Sequence, residues 1–156
     1  MYLLLDIDGV MVPANSWRRP EILDDGFPAF NAKAVNALNK IISYSQAEII
    51  LTTSHKYSYS LKEWREIFKT RQIRIFNIIR LPQNHEYLNR KDEILKWLST
   101  NPNEQFFLII DDDKSLNSLT PELKNKLIQT SASVGLTNQH ADEAIEKIEK
   151  HLVQYP

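Results

Sequence analysis

The sequence predicts an α/β fold, a mostly parallel sheet with helices on both faces. Three observations lead there. Large apolar residues run without polar alternation at Leu3-Leu4-Leu5, at Ile49-Ile50-Leu51 and from Phe106 to Ile110, as in strands covered on both sides. Stretches of helical period, opened by capping residues, lie between them. Strand and helix then alternate along the whole chain, which is the order of βαβ units.

The first strand organises the rest. Met1 to Val10 is an apolar run ending in Asp6-Ile7-Asp8-Gly9, and a strand delivers its last side chains to the carboxyl edge of the sheet, where open α/β folds place their chemistry. Asp6 and Asp8 share a side while the strand lasts, and Gly9 permits a sharp turn. Two carboxylates about 4 Å apart repel by roughly 4 kcal/mol at an effective dielectric near 20. A cation is therefore expected beside them.

Residues 11 to 30 hold Pro13, Pro20, Gly26 and Pro28 and show neither period. A loop of that length is usually functional; it carries Asn15, Trp17, Arg18 and Arg19, a basic and amphipathic set suited to closing over a substrate. Asn31 caps a helix through about Tyr44 with Val35, Leu38, Ile41 and Ile42 on one face. Glu48 to Leu51 is a second strand, running into Thr52-Thr53-Ser54. Ser60-Leu61-Lys62-Glu63 has capping-box spacing and opens a helix with Leu61, Trp64, Ile67 and Phe68 inward. Arg74 to Arg80 reads as a third strand. Asn89 caps a helix from Arg90 to about Leu98, with Ile94, Leu95 and Leu98 buried. Gln105 to Ile110 is a fourth strand entering Asp111-Asp112-Asp113, and a shorter strand follows near Leu127 to Gln129. Thr137 caps a last helix whose stripe is Ala141, Ala144, Ile145, Ile148 and Leu152.

Composition sets limits. At 156 residues the chain fits one domain, 1–156. Lys plus Arg (19) nearly cancels Asp plus Glu (20), so net charge gives no sign of a polyanion-binding surface. Absence of cysteine excludes disulfides, thiolate metal sites and a Cys nucleophile. No apolar run approaches the ~18 residues of a membrane span, and a cytoplasmic protein is the expectation.

In a parallel sheet the strand ends lie along one edge, so Asp6-x-Asp8, Thr52 or Thr53, the basic pair Arg90-Lys91 and Asp111-Asp112 can converge. These types suit phosphoryl transfer through an aspartyl phosphate. One carboxylate attacks phosphorus while another gives a proton to the leaving oxygen and later activates water. Acidic oxygens bind Mg²⁺, and a hydroxyl and a cation hold the phosphoryl oxygens.

In order and spacing these motifs resemble the haloacid dehalogenase (HAD) superfamily. The resemblance implies a three-layer Rossmannoid sheet, with Asp6 as nucleophile and Asp8 as general acid/base. Mg²⁺ would be held by Asp6, the backbone carbonyl of Asp8, Asp111 and Asp112. Thr53 is the first choice for the second motif because Thr53-Ser54-His55 looks like the Ser-x-Trp ending of relatives, with Thr52 the alternative. Lys91 looks like the third-motif lysine of polynucleotide kinase-phosphatases. Arg90 matches instead the Arg-x-x-Glu-Ile pattern of the HAD domain in Swiss Army Knife RNA-repair proteins. That branch is also resembled at Asp6 to Val10, Leu38-Asn39, Thr53-Ser54, Arg90 to Trp97, Ile110 to Asp113 and Val134 to Thr137; one departure is His55-Lys56, where its members tend to have Trp-Arg.

Receiver domains also form an aspartyl phosphate, but their phosphoacceptor comes from a middle strand after an early acidic pair, the reverse of the order here. A non-catalytic HAD-like module is the other reading from a different class. The spaces between motifs leave only residues 11–30 as a minimal cap, so the site is expected to be open. That suits nucleic acid 3′ or 5′ phosphate ends, with Arg18, Arg19, His55 and Lys56 as substrate contacts alongside Arg90; a small-molecule phosphatase or nucleotidase is the alternative. Family domains often accompany ligase or kinase modules, which implies association with separate repair enzymes.

Overall fold

The computed structural model describes residues 1–14, 17–102 and 105–156; Asn15 lies outside the described residues. β1 (Tyr2–Leu5) stands in the middle of a five-stranded, all-parallel sheet. β2 (Glu48–Leu51) and β4 (Phe107–Asp111) flank it, and β3 (Ile78–Arg80) and β5 (Leu127–Gln129) form the edges, giving the order β3-β2-β1-β4-β5. The fold is an α/β Rossmannoid. Leu5 lies beside Leu51 on one side and Ile110 on the other, so the three central strands end level with one another.

Alternation along the strands divides the core in two. Leu3, Leu5, Ile49, Leu51, Leu108 and Ile110 face one layer, made by α1 (Ala32–Ser45), α2 (Leu61–Thr70) and α5 (Asn138–Gln154). Leu4, Ile50 and Ile109 face the other, made by α3 (Arg90–Thr100), a 3-10 turn (Lys114–Ser118) and the short α4 (Pro121–Lys124). The caps expected from sequence are formed: the side chains of Asn31, Ser60, Asn89 and Thr137 each accept a backbone N–H in the first turn of their helix. Ser60 and Glu63 close a reciprocal box, and His140 takes the glutamate's place in the box of Thr137.

Three expectations need correction. The third strand is shorter than Arg74 to Arg80, because β2 offers β3 only Ile49, Ile50 and Leu51 as ladder partners; Phe76 is consequently exposed. Leu152 is also exposed, since the stripe of α5 leaves the sheet after Ile148. Leu95 and Leu98 are only partly buried, at the rim of the smaller core cluster.

The second half of the 11–30 loop is anchored rather than loose. Arg71, 6% exposed, donates to both carboxylate oxygens of Asp25 and to the carbonyls of Phe27, Pro28 and Ile67. Phe27 meets Tyr59 and Trp64 edge-on. Among the described residues, no helix is long and apolar enough to cross a membrane.

Candidate active site at the carboxyl edge of the sheet

The hydrogen-bond ladder continues one step past the strands. Thr52 N–H donates to Leu5 C=O, Asp6 N–H to Ile110 C=O and Thr130 N–H to Asp111 C=O. Side chains two residues on from Leu4, Ile50 and Ile109 keep to the α3 face, and those are Asp6, Thr52 and Asp111. The N-terminus of α3 lies over them and supplies Arg90.

Arg90 is the hub. One terminal nitrogen, Nη1, lies 2.5 Å from Asp111 Oδ2, 3.2 Å from Thr52 Oγ1 and 3.4 Å from Asp6 Oδ1. Its Nε is 3.6 Å from Glu93 Oε1, one helical turn on, and the other oxygen of Glu93 accepts from Lys56 Nζ at 2.7 Å. Burial opposes the Arg90 charge, but Asp111 and Asp6 outweigh it and raise its pKa above the ordinary value. The remaining oxygen of Asp111 accepts from Asp113 N–H, and Asp113 in turn caps the 3-10 turn through Ser115 N–H. Asp111 is thus held on both oxygens.

One ligand oxygen from each of Asp6, Asp111 and Asp112 lies within 4.8 Å of the others. Burial, with Asp111 beside it, pushes the Asp6 carboxyl up to about 8; burial also raises that of Asp111 despite Arg90. A single guanidinium therefore leaves the cluster short of positive charge. Three carboxylates are a hard, all-oxygen donor set, which fits Mg²⁺.

Gly9 makes room for the third acid. At φ +79° it is in the left-handed region, and a Cβ there would fall 2.3 Å from Asp112 Oδ2. Thr130 Oγ1 donates to the Gly9 carbonyl at 2.7 Å and pins the turn. Gly9→Ala is expected to combine backbone strain of roughly 1 to 2 kcal/mol with displacement of the Asp112 carboxylate. Thermal unfolding should show a melting temperature about 3 to 8 °C lower; an unchanged value would mean the turn tolerates a side chain.

Several sequence-based assignments change. Arg90 reaches the acids, whereas the contact the structure gives Lys91 is made by its backbone N–H, which donates to Ser115 Oγ in the 3-10 turn. The hydroxyl beside Arg90 is that of Thr52, not Thr53. Thr53 has the opposite strand parity, and its Oγ1 accepts from His55 N–H in the turn after β2. Lys56 is 4% exposed and paired with Glu93 rather than open to solvent. His55 Nε2 lies 2.9 Å from Asp8 Oδ2, and that carboxylate is not one of the three whose oxygens gather within 4.8 Å. Arg18 and Arg19 are exposed and line a groove of about 510 Å³ with Val12, Phe30 and Asn31. Thr130 was not anticipated as a contributor, and Glu93 entered only as a member of the Arg-x-x-Glu-Ile pattern, with no role. The signal for Glu93 was its place three residues after Arg90; that for Thr130 was a hydroxyl at a strand end, as at Thr52.

The model of the HAD domain in Swiss Army Knife RNA repair proteins matches residues 2–141. The chain belongs to that family. No curated protein and no solved structure matches it. Membership in the HAD family suggests a phosphatase-type hydrolase, and such domains typically use a metal ion, for which this HAD domain has the acidic cluster.

Proposed function

We propose that this HAD domain is a Mg²⁺-dependent phosphomonoester hydrolase that works through an aspartyl phosphate on Asp6, with phosphorylated nucleic acid ends as substrate. The observation that carries the reading is the gathering of Asp6, Asp111 and Asp112 oxygens within 4.8 Å beneath Arg90. Asp6, Asp111 and Asp112 would hold Mg²⁺, which when bound neutralises charge on the phosphoryl oxygens.

The chain's own groups divide the work. The Asp6 carboxylate attacks phosphorus while the ester P–O bond breaks and Asp8 gives its proton to the leaving oxygen. Asp8 then takes a proton from water as that water attacks the phosphorus of the aspartyl phosphate, releasing inorganic phosphate and restoring Asp6. Arg90 and the Thr52 hydroxyl hold the phosphoryl oxygens in both steps. Arg18 and Arg19, along their groove, would contact the phosphates flanking a scissile end. On this reading residues 1–156 would act as one domain in the cytoplasm, beside separate repair enzymes.

The near-zero net charge favours a second reading, a small-molecule phosphatase or nucleotidase. A phosphate-release screen decides between them, using 3′- and 5′-phosphorylated RNA and DNA oligonucleotides against mononucleotides and sugar phosphates. The expected result is preference for an oligonucleotide end by at least about tenfold in kcat/KM, weakening as salt rises. Preference for mononucleotides with no salt dependence would support the small-molecule reading.

A further inference from the structure

Asp8 differs from the other acids of the site in how it is held. Its side chain is 56% exposed on the turn after β1, whereas Asp6 and Asp111 are buried. A general acid must keep one oxygen aimed at the leaving group, and an exposed aspartate on a turn samples several rotamers. The hydrogen bond between Asp8 Oδ2 and His55 Nε2 at 2.9 Å is its restraint.

That histidine, its side chain 43% exposed, is itself held by its neighbours. The turn after β2 fixes its backbone, with His55 N–H on Thr53 Oγ1 and Lys56 N–H on the Thr53 carbonyl. Its ring meets Phe27 edge-on, with centroids 5.9 Å apart. Phe27 is 4% exposed, packed on Trp64 at 5.3 Å, with its carbonyl taken by Arg71. A chain of contacts therefore runs from the Arg71 clamp through Phe27 and His55 to Asp8.

We infer that His55 is a positioning residue for the acid/base step rather than a substrate contact. Its Nε2–H donates to Asp8 Oδ2, so that Oδ1 carries the proton: it protonates the ester oxygen as the P–O bond breaks, and later accepts a proton from the attacking water. The inference rests on the hydrolase reading above. It makes the benefit of His55 depend on the leaving group, because a nitrophenolate departs without a proton and an alkoxide does not.

The test compares His55→Ala and His55→Gln on p-nitrophenyl phosphate and on the best alkyl phosphomonoester from the screen, with Asp6→Asn as the blank. Glutamine places an amide N–H near the position of Nε2. His55→Ala is expected to lose roughly 30-fold in kcat on the alkyl ester but about threefold on the aryl ester, with KM little changed. His55→Gln should recover the alkyl rate to within about threefold. Equal losses on both esters, a loss confined to KM, or no recovery by glutamine would overturn the inference and leave the hydrolase intact. Full activity of Asp6→Asn would overturn the hydrolase reading and this inference with it.

Discussion

Asp6→Asn is expected to lower phosphate release by at least about 10⁴-fold, some 5.5 kcal/mol of barrier, while making the metal-free protein more stable. Loss of turnover follows from removing the nucleophilic oxygen. The gain in stability follows from electrostatics. The Asp6 carboxyl titrates at about 8 in the folded protein, against 3.8 for a free aspartate, because it is buried beside Asp111. A folded pKa above the unfolded one means that the native state binds the extra proton between those values. Metal-free stability should then fall as pH rises from about 4 to 8. Asparagine removes that charge, so at pH 8 its melting temperature should exceed that of the wild type by several degrees, at about 2 to 4 °C per kcal/mol. Mg²⁺ should stabilise the wild type and do much less for the variant. Thermal melts across pH, with and without Mg²⁺, measure all of this. A wild type most stable at pH 8 without metal would contradict the charge account, and a fully active Asp6→Asn would remove the nucleophile.

Arg90→Ala should cost at least about 100-fold in kcat/KM, whereas Lys91→Ala should stay within about threefold. Arg90 touches Thr52, Asp6 and Asp111, and loss of one preorganised donor to a developing charge typically costs about 2.7 to 4 kcal/mol. The same substitution leaves two buried acids without their counter-charge, worth roughly 3 kcal/mol of stability, and deprives Glu93 of one of its two cations. Arg90→Lys keeps a charge without the planar fork and should fall between wild type and alanine in rate. Assaying the three variants at saturating Mg²⁺ separates the catalytic loss from the folding loss. A larger loss for Lys91→Ala than for Arg90→Ala would return the third motif to the lysine.

The sheet and its order of elements were legible because buried strands and capped helices leave strong local patterns. Leu3 to Leu5, Ile49 to Leu51 and Phe107 to Ile110 are apolar throughout, and Asn31, Ser60, Asn89 and Thr137 stand at helix starts. The convergence of Asp6 with Asp111 was legible too, since parallel strands bring their ends to one edge. One-residue choices were harder. Thr52 against Thr53 is a matter of strand parity, and parity cannot be read from a strand that is apolar on both faces. Arg90 against Lys91 depends on how α3 is turned about its axis, which Asn89 as N-cap and the packing of Ile94 decide together. Lys56 reads as a substrate contact because nothing near it in sequence announces Glu93, its partner across the fold. The Asp8–His55 contact joins two turns from different strands and has no local signature.

Placing β1 at the centre of the sheet also bears on how the chain folds. Tyr2 must pair with both Glu48 and Phe107, so β1, made before either partner, waits for one made much later before its second ladder can close. Such long-range closure slows folding relative to a helical protein of similar size. Until β4 emerges, the nascent chain carries an apolar strand with one open edge, and that interval is when it most needs protection from aggregation.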